Sequence, residues 1–203
     1  MPPEILIAPR FAAEPPQEQL PSGRWADLLR AELLKAALDL GEIGEPGDVV
    51  WFPDRTYAGR TFVPATARTS TGLEVFGYVS YVVSDEPGNF HSTADVTEEL
   101  AEEHPEWKID LCDEVVATWR GTGGRTAQMT LVWGVPQVPG GAVATAELGD
   151  RVRVTVDQCE LMENRFTLLA PDDLGGDTLE VRVYDAGGAE LAVESLYEDE
   201  DDE

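Results

Sequence analysis

The residues of this chain best equipped for chemistry are carboxylates: 40 Asp and Glu stand against 14 Lys and Arg, a formal net charge of −26. The densest internal run is Asp95, Glu98, Glu99, Glu102 and Glu103. That spacing offers acids to a basic partner or a cation, and equally to solvent as a charged face. His91 and His104, the only histidines, bracket the run. With Asp110, Asp113 or Glu114 they would make a mixed imidazole and carboxylate set for a metal. No His-x-His, His-Glu-x-x-His or Cys-x-x-Cys spacing accompanies them, so the residues leave a metal undecided. Nothing in the chain asks for a cofactor.

Nucleophiles have poorer surroundings. Cys112 sits in Asp110-Leu111-Cys112-Asp113-Glu114, where negative neighbours disfavour a thiolate. Cys159 has no histidine near it in sequence, and no serine lies in Gly-x-Ser-x-Gly. Gly121-Thr122-Gly123-Gly124, flanked by Arg120 and Arg125, resembles a phosphate loop in composition only. Strand-like segments lie on both sides of it, which makes a hairpin tip. Asp172-Asp173-Leu174-Gly175-Gly176-Asp177 is one imperfect unit of a Gly/Asp calcium repeat, and a turn explains it as well.

A second constellation is aromatic and cationic. Tyr57, Arg60, Tyr78, Tyr81, Trp119 and Arg120 fall on or beside strand-like segments. There they would orient a small ligand in a pocket within the sheet, or simply fill a core.

The elements that must position these groups are legible from periodicity. Ser22 caps a helix running to about Leu40, with Gly41 as its stop. Trp25, Leu29, Leu33, Ala36, Ala37 and Leu40 make its apolar stripe. Beyond Gly47 the period becomes two, predicting strands over Asp48–Pro53 and Thr56–Val63 around an Asp54-Arg55 turn. Leu73–Val83 is apolar on both faces and is expected to be central and covered on each side. Ser92 to His104 reads as a short acidic helix, with a capping-box-like start and Pro105 beyond. Trp107–Trp119 and Thr126–Gly134 form a hairpin; Arg151–Val156, Arg165–Leu169, Leu179–Tyr184 and Glu190–Tyr197 follow as strands.

The expected fold is α+β: a mainly antiparallel curved sheet or β-sandwich, with one long N-terminal helix and one short acidic helix packed on or beside it. Residues 1–21, rich in Pro, read as an extended arm, and 22–197 as a single domain with a possible sub-boundary near 136–141. Glu198 to Glu203, six consecutive acids, read as a disordered tail.

Charge narrows the partners. Residues 1–91 hold 13 acids and 7 bases, and residues 92–203 hold 27 acids and 7 bases. So negative a surface is repelled by nucleic-acid phosphates and anionic lipids, which excludes direct nucleic-acid binding and membrane association as expectations. Twelve of the 14 bases are Arg, a balance that salt adaptation or a GC-rich genome would also produce. With two cysteines, no basic leader and no long apolar run, the expectation is a cytoplasmic protein. Two function classes follow. The first is a non-enzymatic interaction protein engaging a basic partner, in an inhibitor, immunity or assembly role. The second is a small-molecule-binding protein or enzyme built on the aromatic set above.

Overall fold

The computed structural model describes residues 19–82, 88–120, 124, 126–149, 153–172 and 179–196. Residues 1–18 of the extended arm, most of the Gly121–Gly124 loop, the 173–178 turn and the acidic tail fall outside them. Within the described residues one α-helix, one 3-10 turn and twelve strands follow one another, and every strand pairing is antiparallel.

Helix α1 spans Gly23–Leu38, with Ser22 extended at its N-cap position, although the Ser22 side chain makes no capping hydrogen bond. Leu29, Leu33 and Ala37 are buried, and each leucine contributes about 1.5–3 kcal/mol through removal from water. Sheet A receives them. It orders β1 (Pro46–Trp51), β3 (Arg60–Thr69), β4 (Glu74–Val82) and β5 (Gly88–Thr97), with the short β2 (Arg55–Tyr57) also paired to β3. Alternation along β3 and β4 splits the sheet's faces. Val63, Ala65, Val79 and Tyr81 pack with Leu29 and Leu33, while Phe62 and Tyr78 point the other way. The doubly covered strand expected at Leu73–Val83 is β4.

Sheet B orders β10 (Phe166–Asp172), β7 (Thr126–Pro136) and β6 (Ile109–Arg120). Met129, Leu131, Trp133 and Leu169 meet Phe52, Phe62 and Tyr78 of sheet A. Its opposite face, with Val132, Phe166 and Leu168, meets sheet C. Sheet C orders β12 (Glu190–Ser195), β11 (Leu179–Asp185), β8 (Gly141–Leu148) and β9 (Val154–Glu160). The layers therefore run helix, sheet A, sheet B, sheet C. Residues 137–140 carry the chain from sheet B to sheet C.

Two expectations are corrected and one strand is added. The short acidic helix over Ser92–His104 is absent: Ser92 to Thr97 belong to β5, and only Ala101–Glu103 make a 3-10 turn. Phe90, Ala94 and Val96 alternate toward α1 and its neighbours, and β5 supplies the hydrogen-bond partner that the edge of β4 requires. Thr56–Val63 is not one strand around an Asp54-Arg55 turn. The turn is Ala58-Gly59, with φ of 52° and 73°, the paired left-handed conformation of a tight hairpin. Arg55 is buried within β2 instead. Finally, β8 was not legible as a strand. Its Ala144 and Ala146 are fully buried small residues, suited to close packing against sheet B but poor in the β-branched signal that marks strands.

Candidate functional site: an acidic cleft between two sheets

At the β5 and β6 edges, sheets A and B part and leave two adjoining cavities. The larger, about 340 Å³, is lined by Glu74, Phe76, Asp95, Thr97, Glu99, Trp107 and Asp110 to Glu114. The smaller, about 260 Å³, shares Glu74, Asp110 and Cys112 and adds Phe52, Arg68, Glu102 and Trp133 among others. Strand alternation explains the convergence. Asp110, Cys112 and Glu114 are alternate residues of β6, as are Glu74 and Phe76 of β4, Asp95 and Thr97 of β5, and Thr66 and Arg68 of β3.

Seven carboxyls and one guanidinium thus line the two cavities together. Arg68 lies 3.5 Å from Glu74 and also pairs with Glu102. One cation does not balance the group, and four of the carboxyls have pKa values displaced upward. Burial pushes Glu74 above the usual carboxylate range, the Asp110 and Glu102 charges add to this, and Arg68 opposes it. Asp110 is raised by burial and by Glu102, again against Arg68. Asp113 rises through burial and the Asp172 charge, and Glu114 through burial with Asp113 and Asp95. Glu102 alone moves down, held by its own backbone N–H and by Arg68. Burial first, then Asp110, Glu74 and Asp113, drive the Cys112 thiol far up. It stays a neutral thiol at physiological pH, unfit as a nucleophile.

The rim is aromatic. His104 stacks on Trp107 at 4.2 Å with an interplanar angle of 8°, and its Nδ1 lies 3.0 Å from Glu106. Aromatic faces beside carboxylates suit a cation bearing hydrocarbon, such as an arginine or lysine side chain. No group of three or more His, Cys, Asp or Glu among the described residues is arranged to hold a metal ion. His91 lies on β5 with its ring 6.4 Å from that of Tyr78, and it lines neither cavity of the cleft.

Of the acids singled out in the sequence, Asp95 and Glu99 line the larger cavity and Glu102 the smaller. Glu98 and Glu103 are exposed and line neither. The aromatic set does not share one surface. Tyr57, Tyr78 and Trp119 belong to the core between sheets A and B. Tyr81 lies on the other face, under α1, edge-on to Trp25 at 5.0 Å. Arg60 donates to Ser80 Oγ and to the Asn89 carbonyl, each at 3.1 Å, and Arg120 is exposed at the end of β6. Cys112 and Cys159 form no disulfide and pack on opposite sides of sheet B, Cys159 from β9 of sheet C.

Sequence reasoning missed Glu74, Arg68, Trp107 and Trp133 as members of this site. Asp110, Asp113 and Glu114 had been noted only around Cys112 or as metal ligands. The usable signal was Glu74, an acid on an otherwise apolar strand face. No helix among the described residues is long and apolar enough to cross a membrane. A scan against family models, a search of curated proteins and a search of solved structures each return no match to this chain.

Proposed function

We propose that this is a non-enzymatic binding protein whose cleft receives a basic segment of a partner protein, in an inhibitor, immunity or assembly role. The observation that carries the reading is the imbalance of the lining, seven carboxyls to one guanidinium with aromatic side chains among them. Crowded carboxylates repel one another until a cation arrives, so a basic side chain relieves repulsion already present in the free protein. Cys112, on β6 of sheet B, and Cys159, on β9 of sheet C, form no disulfide, in accord with a reducing compartment, and we assign the protein to the cytoplasm on that ground. Its charge argues against nucleic acid and anionic membranes as partners.

An arginine-rich peptide titrated by calorimetry at low ionic strength tests this. The triple variant Asp95→Asn, Glu99→Gln, Glu114→Gln should bind about tenfold more weakly, while Glu42→Gln, on the loop after α1, should change nothing. Equal losses in both variants would mean diffuse attraction rather than a site. Binding should also fall steeply as salt shortens the screening length.

A further inference from the structure

The inner end of the cleft has a feature that carboxylates do not explain. Trp133, on β7, is 1% exposed and lines the 260 Å³ cavity. Its indole Nε1–H has no acceptor among the described residues. Leaving a buried donor unpaired is costly, and native interiors avoid the situation. An indole nitrogen can only donate, so whatever satisfies it must bring a lone pair. The same cavity is lined by Glu74 and Asp110, which call for a positive charge, and by Phe52 and Val135, which call for hydrocarbon.

Single-function ligands fail one of these demands. A lysine or arginine side chain answers the carboxylates but carries no acceptor for the indole. A neutral amide answers the indole but leaves the carboxylates unanswered, and an anion is repelled. An ammonium group one carbon away from a carbonyl oxygen satisfies both, and that is the chemistry of a free peptide amino terminus. We propose that the inner cavity binds the amino-terminal residue of the partner, its ammonium between Glu74 and Asp110 and its first carbonyl oxygen accepting the Trp133 indole N–H. This rests on the cationic reading of the cleft and adds to it the end of the chain that enters.

Glycinamide and isobutylamine are close isosteres that differ in possessing the carbonyl, and N-acetylglycinamide keeps the carbonyl while losing the charge. All three are titrated into the intact protein while the Trp133 indole N–H resonance, assigned by its loss in Trp133→Phe, is followed by NMR. Glycinamide should move that resonance downfield and bind about tenfold more tightly than isobutylamine. In Trp133→Phe, followed through other resonances, the two amines should bind alike; N-acetylglycinamide should not bind to either protein. Acetylating the amino terminus of the arginine-rich peptide should weaken it by a similar factor. Equal affinity of the two amines for the unmodified protein, a preference that survives Trp133→Phe, or indifference to acetylation overturns the inference while leaving the basic-partner reading standing. If neither the amines nor the peptide bind, both fall together.

Discussion

At Arg55 and at the Glu74–Asp110 cleft the same stacked sheets enclose charge, in opposite proportions. Arg55, on β2 of sheet A, is 1% exposed. It donates from Nε to the Thr167 carbonyl of sheet B at 3.0 Å and from Nη2 to the Gln158 carbonyl of sheet C at 2.8 Å. Asp157 lies 3.4 Å away and also accepts the Leu169 N–H at 2.8 Å. The Arg55 guanidinium, the Asp157 carboxylate and fixed backbone dipoles join three sheets at a point. In the cleft, one guanidinium meets seven carboxyls. The first arrangement has the composition of a structural joint. The second keeps a repulsion that serves no fold, and a cation from outside would relieve it.

That contrast can be broken most directly at Arg55. Arg55→Ala removes a buried guanidinium that bonds to sheets B and C and takes the cation away from Asp157, and should cost about 3–5 kcal/mol in urea unfolding. A loss no larger than that of a surface substitution would remove the distinction between joint and cleft.

The cleft should answer with the opposite sign. Glu74→Gln with Asp110→Asn removes two carboxyls raised by burial and by neighbouring negative charge. At pH 7 the melting temperature should rise by about 2–4 °C, the shift that ~1 kcal/mol produces in a chain of this size. A fall would show the two acids to be structural partners.

Acidification sharpens the same point. A carboxyl whose folded-state pKa lies above its unfolded value of about 4 binds its proton more tightly in the folded protein. Glu74, Asp110, Asp113 and Glu114 are all of this kind. Their contribution to stability therefore grows as pH falls through their raised values, is complete below the unfolded values, and is lost again as pH climbs. Thermal unfolding across pH should show a steeper gain on acidification in the unmodified protein than in the double variant. Peptide binding should weaken over the same interval, since neutral carboxyls attract no cation. Parallel stability curves for the two proteins would count against the cleft as the seat of the proton uptake.

The smallest effect belongs to Arg68. Its side chain is 47% exposed, and exposed pairs contribute about 0–1 kcal/mol. Arg68→Gln should barely alter stability, yet it should raise the pH at which Glu74 and Asp110 take up protons, because Arg68 opposes both shifts. Carboxyl NMR titration resolves this.

Much of the framework was legible because it is written in neighbouring residues. The apolar stripe of α1, the two-faced β4 and the β6–β7 and β11–β12 hairpins each follow from periodicity and turn chemistry. Residues 92–104 misled because Ser92-Thr93-Ala94-Asp95 resembles a helix start, while the alternation of Phe90, Ala94 and Val96 was the signal that prevailed once β4 offered an edge. Strand β8 hid behind alanines. The site was half visible: Asp95, Glu99 and Glu102 were singled out for their local density, but the acids opposite them come from β4 and β6.

By itself, then, the sequence determined the charge, the strand periods and the one long helix, since these are properties of consecutive residues meeting water. Only the tertiary structure decided that Glu74 and Asp110 share a cavity, that Arg55 joins three sheets and that the Trp133 N–H lacks an acceptor among the described residues. The physical reason is that sheet pairing and stacking are non-local. Which faces meet depends on register and on burial summed over whole strands, and no short window of residues carries that information.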